Sequence, residues 1–138
     1  MAVSSRIALC VEYQGQNFKG WQAQRAAGVV TVQETLESAL SQVADQDIRV
    51  QCAGRTDSGV HASGQIVHFE NSNERPLKAW VRGCNALLPK TVVVRWAQAV
   101  DLDFHARFSA LSRRYCYVIY NNKVRSAILQ GLVIPHFF

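Results

Sequence analysis

The sequence predicts an α+β fold: a ferredoxin-like β-α-β-β-α-β sandwich, an antiparallel sheet with two helices on one face, plus an extra C-terminal strand. Two apolar stripes at helical spacing carry this expectation. So do the alternating or β-branched runs that flank them, and the turn-rich breaks between successive runs.

Each element has a local reason. In "RIALCVEY", residues 6–13, Ile7, Leu9, Val11 and Tyr13 share one face at period two, which predicts a strand. "QGQNFKGW" follows as a turn-rich stretch. From Thr31, Val32, Leu36, Ala39, Leu40 and Val43 fall on one helical face, and Thr31 with Glu34 forms a capping box. A short strand is expected over 48–52, a glycine-rich loop over 52–65 and a strand over 65–70. Leu77, Trp80, Val81, Cys84, Leu87 and Leu88 recur at helical spacing, with Pro76 in the first turn and Pro89 as a stop. "TVVVRWAQAV", residues 91–100, reads as a strand. A fifth strand is expected where Tyr115, Tyr117 and Ile119 alternate with Cys116, Val118 and Tyr120. The sheet face opposite the helices is left to be explained. "SAILQGLVIPHFF" is apolar and lacks a polar close, which reads as a chain cut short or an arm awaiting a partner.

With 138 residues, 49% of them hydrophobic, the chain suits one core and one compact domain. No apolar run approaches the roughly 20 residues of a membrane span, and the N-terminus lacks a secretory signal pattern, so a cytoplasmic protein is expected. Cys10, Cys52, Cys84 and Cys116 are too scattered for a zinc site, and no other metal-ligand spacing is present, so no metal is expected. The net charge of +5 is one-sided. Residues 1–103 carry ten bases and ten acids, leaving Arg107, Arg113, Arg114, Lys123 and Arg125 as the excess. A basic C-terminal quarter suits a polyanion, although a merely solvated tail has the same composition.

The chemistry centres on "CAGRTDSGVHASGQ", residues 52–65. Asp57, between Gly54 and Gly59, suits an Asx-turn, in which the side chain bonds its own backbone. Arg55, Thr56 and Ser58 beside it would instead favour the charged carboxylate that a nucleophile or base requires. A nucleoside triphosphate loop is excluded, because its lysine and Ser/Thr ending are missing and Asp57 would repel the anion. His61 suits acid-base or RNA contact as well as a structural bond, and the structural role is favoured. His68 and His105 default to structure. "FKGWQAQ" interleaves Phe18 and Trp21 with Gln22 and Gln24, a pattern that serves base stacking or core filling equally. Tyr115 and Tyr117, just after Arg113 and Arg114, pair stacking with phosphate contact or simply pack.

Together, "FKGWQAQ", "TVQETLESAL", "GRTDSGVHASGQIVHF", "NALLP" and "FHARFSALSRRYCYVIYN" resemble the tRNA pseudouridine synthase A family in order and spacing. The resemblance implies a cofactor-free conversion of uridine to pseudouridine at positions 38 to 40 of the tRNA anticodon stem-loop. It implies that Asp57 is the catalytic aspartate, that Arg55 helps hold the everted nucleotide, and that Tyr115 packs on the uracil and assists proton removal from C5. It implies that Arg107, Arg113, Arg114, Lys123 and Arg125 grip the RNA backbone, with the open sheet face as cleft floor; Phe18, Trp21, Gln22, Gln24 and His61 join them as candidate RNA contacts by residue type. It further implies a homodimer and a second α+β half that supplies an arginine to the aspartate. On that reading, residues 1–138 are the N-terminal catalytic half, expected to turn over little alone. The alternative is a non-catalytic RNA-binding module.

Overall fold

A computed structural model describes residues 4–136. Its order is β1 (Ser5–Tyr13), α1 (Val32–Ala44), β2 (Gln51–Cys52), β3 (Ala62–Asn71), α2 (Leu77–Leu87), β4 (Val92–Val100), then two short strands, β5 (Ile119–Asn121) and β6 (Ile134–His136). The first four strands form one antiparallel sheet in the order β2-β3-β1-β4. This is the ferredoxin-like arrangement the sequence predicts.

Strand pleating places the core. Leu9 pairs with Val67 and Ala97, and Ile7 with Phe69 and Ala99, so these residues share the helix-side face. Leu36 and Leu40 of α1 and Trp80 and Cys84 of α2 close over that face, all fully buried. Phe69 meets Trp80 edge-on, with ring centroids 4.9 Å apart. Being central, β1 is buried on both sides, and Ala8 and Cys10 of its other face are also covered.

The Thr31 cap is present: its side chain accepts from the Glu34 amide at 3.3 Å. The other half of the predicted capping box is not formed, because the Glu34 carboxylate accepts instead from the amides of Gln24 and Arg25. It thereby fastens the preceding loop to the helix start. Residues 48–50, expected to begin β2, are drawn onto α1: the Ile48 amide donates to Ser41 Oγ and the Val50 amide to buried Glu37. Only Gln51 and Cys52 pair with β3.

The face opposite the helices is not wholly open. The 104–106 segment lies over its centre, where the Ala106 amide donates to His68 Nδ1 at 3.0 Å and Arg6 donates to the Phe104 carbonyl. Ala106 and His68 are both buried there. The predicted fifth strand is shorter than its alternation suggests. Residues 111–118 form no strand, and β5 pairs in parallel with β6 in a separate two-stranded sheet. Alternation specifies a strand only where a neighbouring edge supplies a ladder, and the four-stranded sheet supplies none to this stretch. The apolar arm is described as far as His136; its last two residues, 137 and 138, lie outside the described residues. Among the described residues, no helix is long and apolar enough to cross a membrane.

His68 couples this packing to pH. Burial pushes its imidazole down to about 4 from an ordinary 6.5, with His105 and Arg6 acting in the same direction and Glu70 opposing. The unfolded chain therefore takes up a proton that the folded chain refuses. Stability from this site is intact above pH 6.5 and is lost as pH falls toward 4. We expect the thermal midpoint to fall more steeply across that window in wild type than in His68→Asn, whose amide oxygen can still accept from Ala106. Equal falls in both proteins would remove His68 as the cause.

Candidate functional site

Asp57 opens a turn closed by its own main chain: the Val60 amide donates to the Asp57 carbonyl at 3.1 Å, with Gly59 at φ +80° in the third position. This is the geometry of a type II turn, which needs a residue able to take positive φ. In an Asx-turn the Gly59 amide would face the Asp57 carboxylate, but here it donates to the Phe18 carbonyl at 3.3 Å. The carboxylate is thus not consumed by its own turn. It is exposed and, among the described residues, makes no hydrogen bond or ion pair. Arg55, two residues before it, lines the neighbouring groove.

The loop around Asp57 is held from beneath. Buried Gln65, on the inward face of β3, accepts from the Gly54 amide at 3.3 Å and donates to both the Gly54 carbonyl and Tyr13 Oη. Tyr13 Oη lies 2.7 Å from Thr56 Oγ1. Accepting from Gln65 leaves the phenol proton for Thr56, the arrangement that satisfies all three groups. Burial pushes the Tyr13 phenol up, with its bonds to Thr56 and Gln65 opposing, so it stays protonated. The Trp21 amide donates to the Thr56 carbonyl at 3.0 Å. Gly15 is obligatory beneath the turn, since a Cβ there would lie 2.0 Å from the Val60 carbonyl oxygen.

Beyond the 104–106 strap, the chain runs back toward this loop. Arg55, Arg107, Arg113 and Tyr115 line a groove of about 550 Å³ along the β2 edge, together with Gln22 and Gln51. Among the described residues, no carboxylate lines it. Burial pushes the Cys52 thiol up, so Cys52 lines the groove as a neutral group. A second groove of about 440 Å³ shares Arg113 and Tyr115 and adds Arg114, His61 and Ser63. Tyr115, itself exposed, lies at the junction of both, whereas Tyr117 lines neither.

Other residues singled out in the sequence have different positions. Phe18 and Trp21 are 5% and 2% exposed and belong to the core, and Tyr13 and Trp21 bring their rings within 5.9 Å. Trp21 nevertheless borders the groove lined by Arg55, Arg107 and Arg113. His61 accepts from the Gly15 amide through Nδ1 at 2.8 Å, and its Nε2 meets the Gly131 carbonyl, so both nitrogens are engaged in structure. Gln24 donates to the Lys19 carbonyl within its own turn. Lys123 and Arg125 are exposed and line neither groove. Gln65 and Tyr13 were not singled out for the site. The available signal was a glutamine at an inward position of an otherwise apolar alternation.

A preformed turn that presents a carboxylate beside an arginine-lined groove suits nucleophilic or base chemistry on a polyanion. Its support is testable. We expect Gln65→Leu to leave both main-chain groups of Gly54 unpaired and to cost about 2 to 3 kcal/mol in denaturant unfolding. A loss below about 0.5 kcal/mol would show that water replaces the amide and that Gln65 does not hold the loop.

Comparison with known proteins identifies the chain's relatives. The sequence pattern of the tRNA pseudouridine synthase family matches residues 9–109. A protein named tRNA pseudouridine synthase A from Aliivibrio fischeri is 57% identical over 132 residues, covering 96% of this chain and 49% of that protein. Proteins of the same name from Pseudoalteromonas atlantica and Pseudomonas aeruginosa are 60% and 59% identical over 90% and 91% of this chain, and 46% and 44% of their own lengths. The chain thus spans about half the length of the curated relatives it matches. With that pattern lying across the sheet, both helices and the Asp57 loop, the chain belongs to the tRNA pseudouridine synthase family.

Proposed function

We propose that this chain carries the catalytic-aspartate half of a tRNA pseudouridine synthase, acting in the cytoplasm on uridines at positions 38 to 40 of the anticodon stem-loop. The observation that carries this reading is the Asp57 carboxylate, left unengaged by its own turn and held beside a groove lined by Arg55, Arg107 and Arg113. In the reaction the C1′–N1 glycosidic bond breaks, uracil turns, a C1′–C5 bond forms, C5 loses its proton and N1 gains one. Asp57 acts at the glycosidic bond, and Tyr115 packs against the uracil and assists at C5. Arg55 helps hold the everted nucleotide, whose unstacking costs a few kcal/mol that groove contacts offset. In the whole protein a partner cation for Asp57 comes from outside this half, which fits a carboxylate with no ion pair among the described residues. A homodimer is part of this reading, and Phe108, Leu111 and Ile128 are exposed apolar side chains that a partner could cover.

A second reading, a non-catalytic RNA-binding module, draws on the same arginine groove and needs no chemistry from Asp57. Release of tritium from C5 of uridine in anticodon stem-loop RNA separates the two. We expect the protein as its gene encodes it to release tritium, and Asp57→Asn to lower the rate by at least about 10³-fold while RNA affinity stays within a few-fold. Full activity in Asp57→Asn would overturn the role of Asp57. Salt-dependent RNA binding without any tritium release would favour the binding module.

A further inference from the structure

We propose that Arg113 is a positioning residue that ties the 107–115 segment to the start of the Asp57 loop and thereby sets Tyr115 over Gly54. The inference rests on the reading of Asp57 and Tyr115 given above. It replaces the phosphate grip expected of Arg113 from sequence with a contact inside the protein.

The guanidinium donates from Nε to the Ala53 carbonyl at 2.7 Å and from Nη2 to the Arg107 carbonyl at 3.0 Å. One bond reaches 60 residues back, to the point where β2 gives way to the loop; the other closes its own segment. A planar fork with donors on separate edges can serve two carbonyls at once, whereas a lysine ammonium is a point donor on a flexible stem. The local backbone is shaped to receive this side chain. A Cβ on residue 54 would lie 3.3 Å from Arg113 Cδ and 3.2 Å from Tyr115 Oη, so glycine eases the approach of both. Gly54 is in turn fixed by Gln65, which gives the tether a rigid anchor. Residues 111–118 have no strand ladder to hold them. Arg113 supplies side-chain bonds in place of one.

Arg113→Lys tests this, because it keeps the charge and removes the fork. The expected result, in the protein as its gene encodes it, has two parts. Amide exchange across 53–60 and 107–116 rises about tenfold with the global unfolding midpoint unchanged, as local opening requires. Turnover at saturating RNA also falls about tenfold in wild type but less than about twofold in a Tyr115→Phe background, the non-additivity of a residue acting through Tyr115. A change confined to KM, an equal loss in both backgrounds, or unaltered exchange would overturn the proposal. If no form of the protein releases tritium, the functional reading fails on its own account and exchange alone decides: faster exchange at 53–60 in Arg113→Lys supports the tether, and unchanged exchange overturns it.

Discussion

The geometry around Asp57 depends on one buried side chain, the Gln65 amide, which pairs with both main-chain groups of Gly54. A loop leaving an edge strand has no ladder to follow, and its polar backbone would normally turn to water. Gln65 provides a short continuation of the ladder from within the sheet. Because its neighbours on β3, Val67 and Phe69, are locked in the core, the amide cannot follow a wandering loop. The loop follows the amide instead. The same side chain reaches Tyr13 Oη and, through it, Thr56, so the residue next to Asp57 is held by the central strand of the sheet.

From that constraint the division of labour among the glycines and aromatics follows. Gly15 is required by close approach under the Val60 carbonyl, and Gly54 leaves room for Arg113 and Tyr115, which a Cβ would crowd. Gly59 is required by backbone conformation. Phe18 and Trp21 buttress the loop from the core side, and the backbone of that segment exchanges bonds with it at Trp21–Thr56 and Gly59–Phe18. The "FKGWQAQ" stretch is therefore part of the site's support and contributes Gln22 to the groove wall.

How much of this was legible in the sequence depended on whether local pattern or distant partners decided the outcome. The β1 alternation and the α1 stripe are local and periodic, and both elements form where expected. The Thr31 cap is equally local, and it forms. Glu34 is different, because the amides of Gln24 and Arg25 compete for its carboxylate from a loop whose path no local rule fixes. Tyr115 to Val118 alternate as well as any strand, yet only from Ile119 does the stretch find a ladder, and pattern alone does not report where one is offered. Asp57 could be singled out by its neighbours. Its release from an Asx-turn could not, since that depends on the Phe18 carbonyl, which the fold delivers from far along the chain.

That release bears on how a single carboxylate can serve both as part of a turn and as a reagent. An Asx aspartate spends its lone pairs on backbone amides, which stabilises the anion and blunts it as a nucleophile. Moving the turn's hydrogen bond to the main-chain carbonyl of Asp57, and the Gly59 amide to Phe18, leaves the side chain with its full acceptor capacity. The cost is an anion with no protein partner among the described residues, two positions along the loop from Arg55, whose groove it does not itself line. An RNA phosphate entering the groove would be drawn by Arg55 and Arg107 while the carboxylate stays clear of it, so the two negative groups need not compete for the same charge. On the proposed reading, this separation lets one short loop bind a polyanion and still present an anion to its sugar.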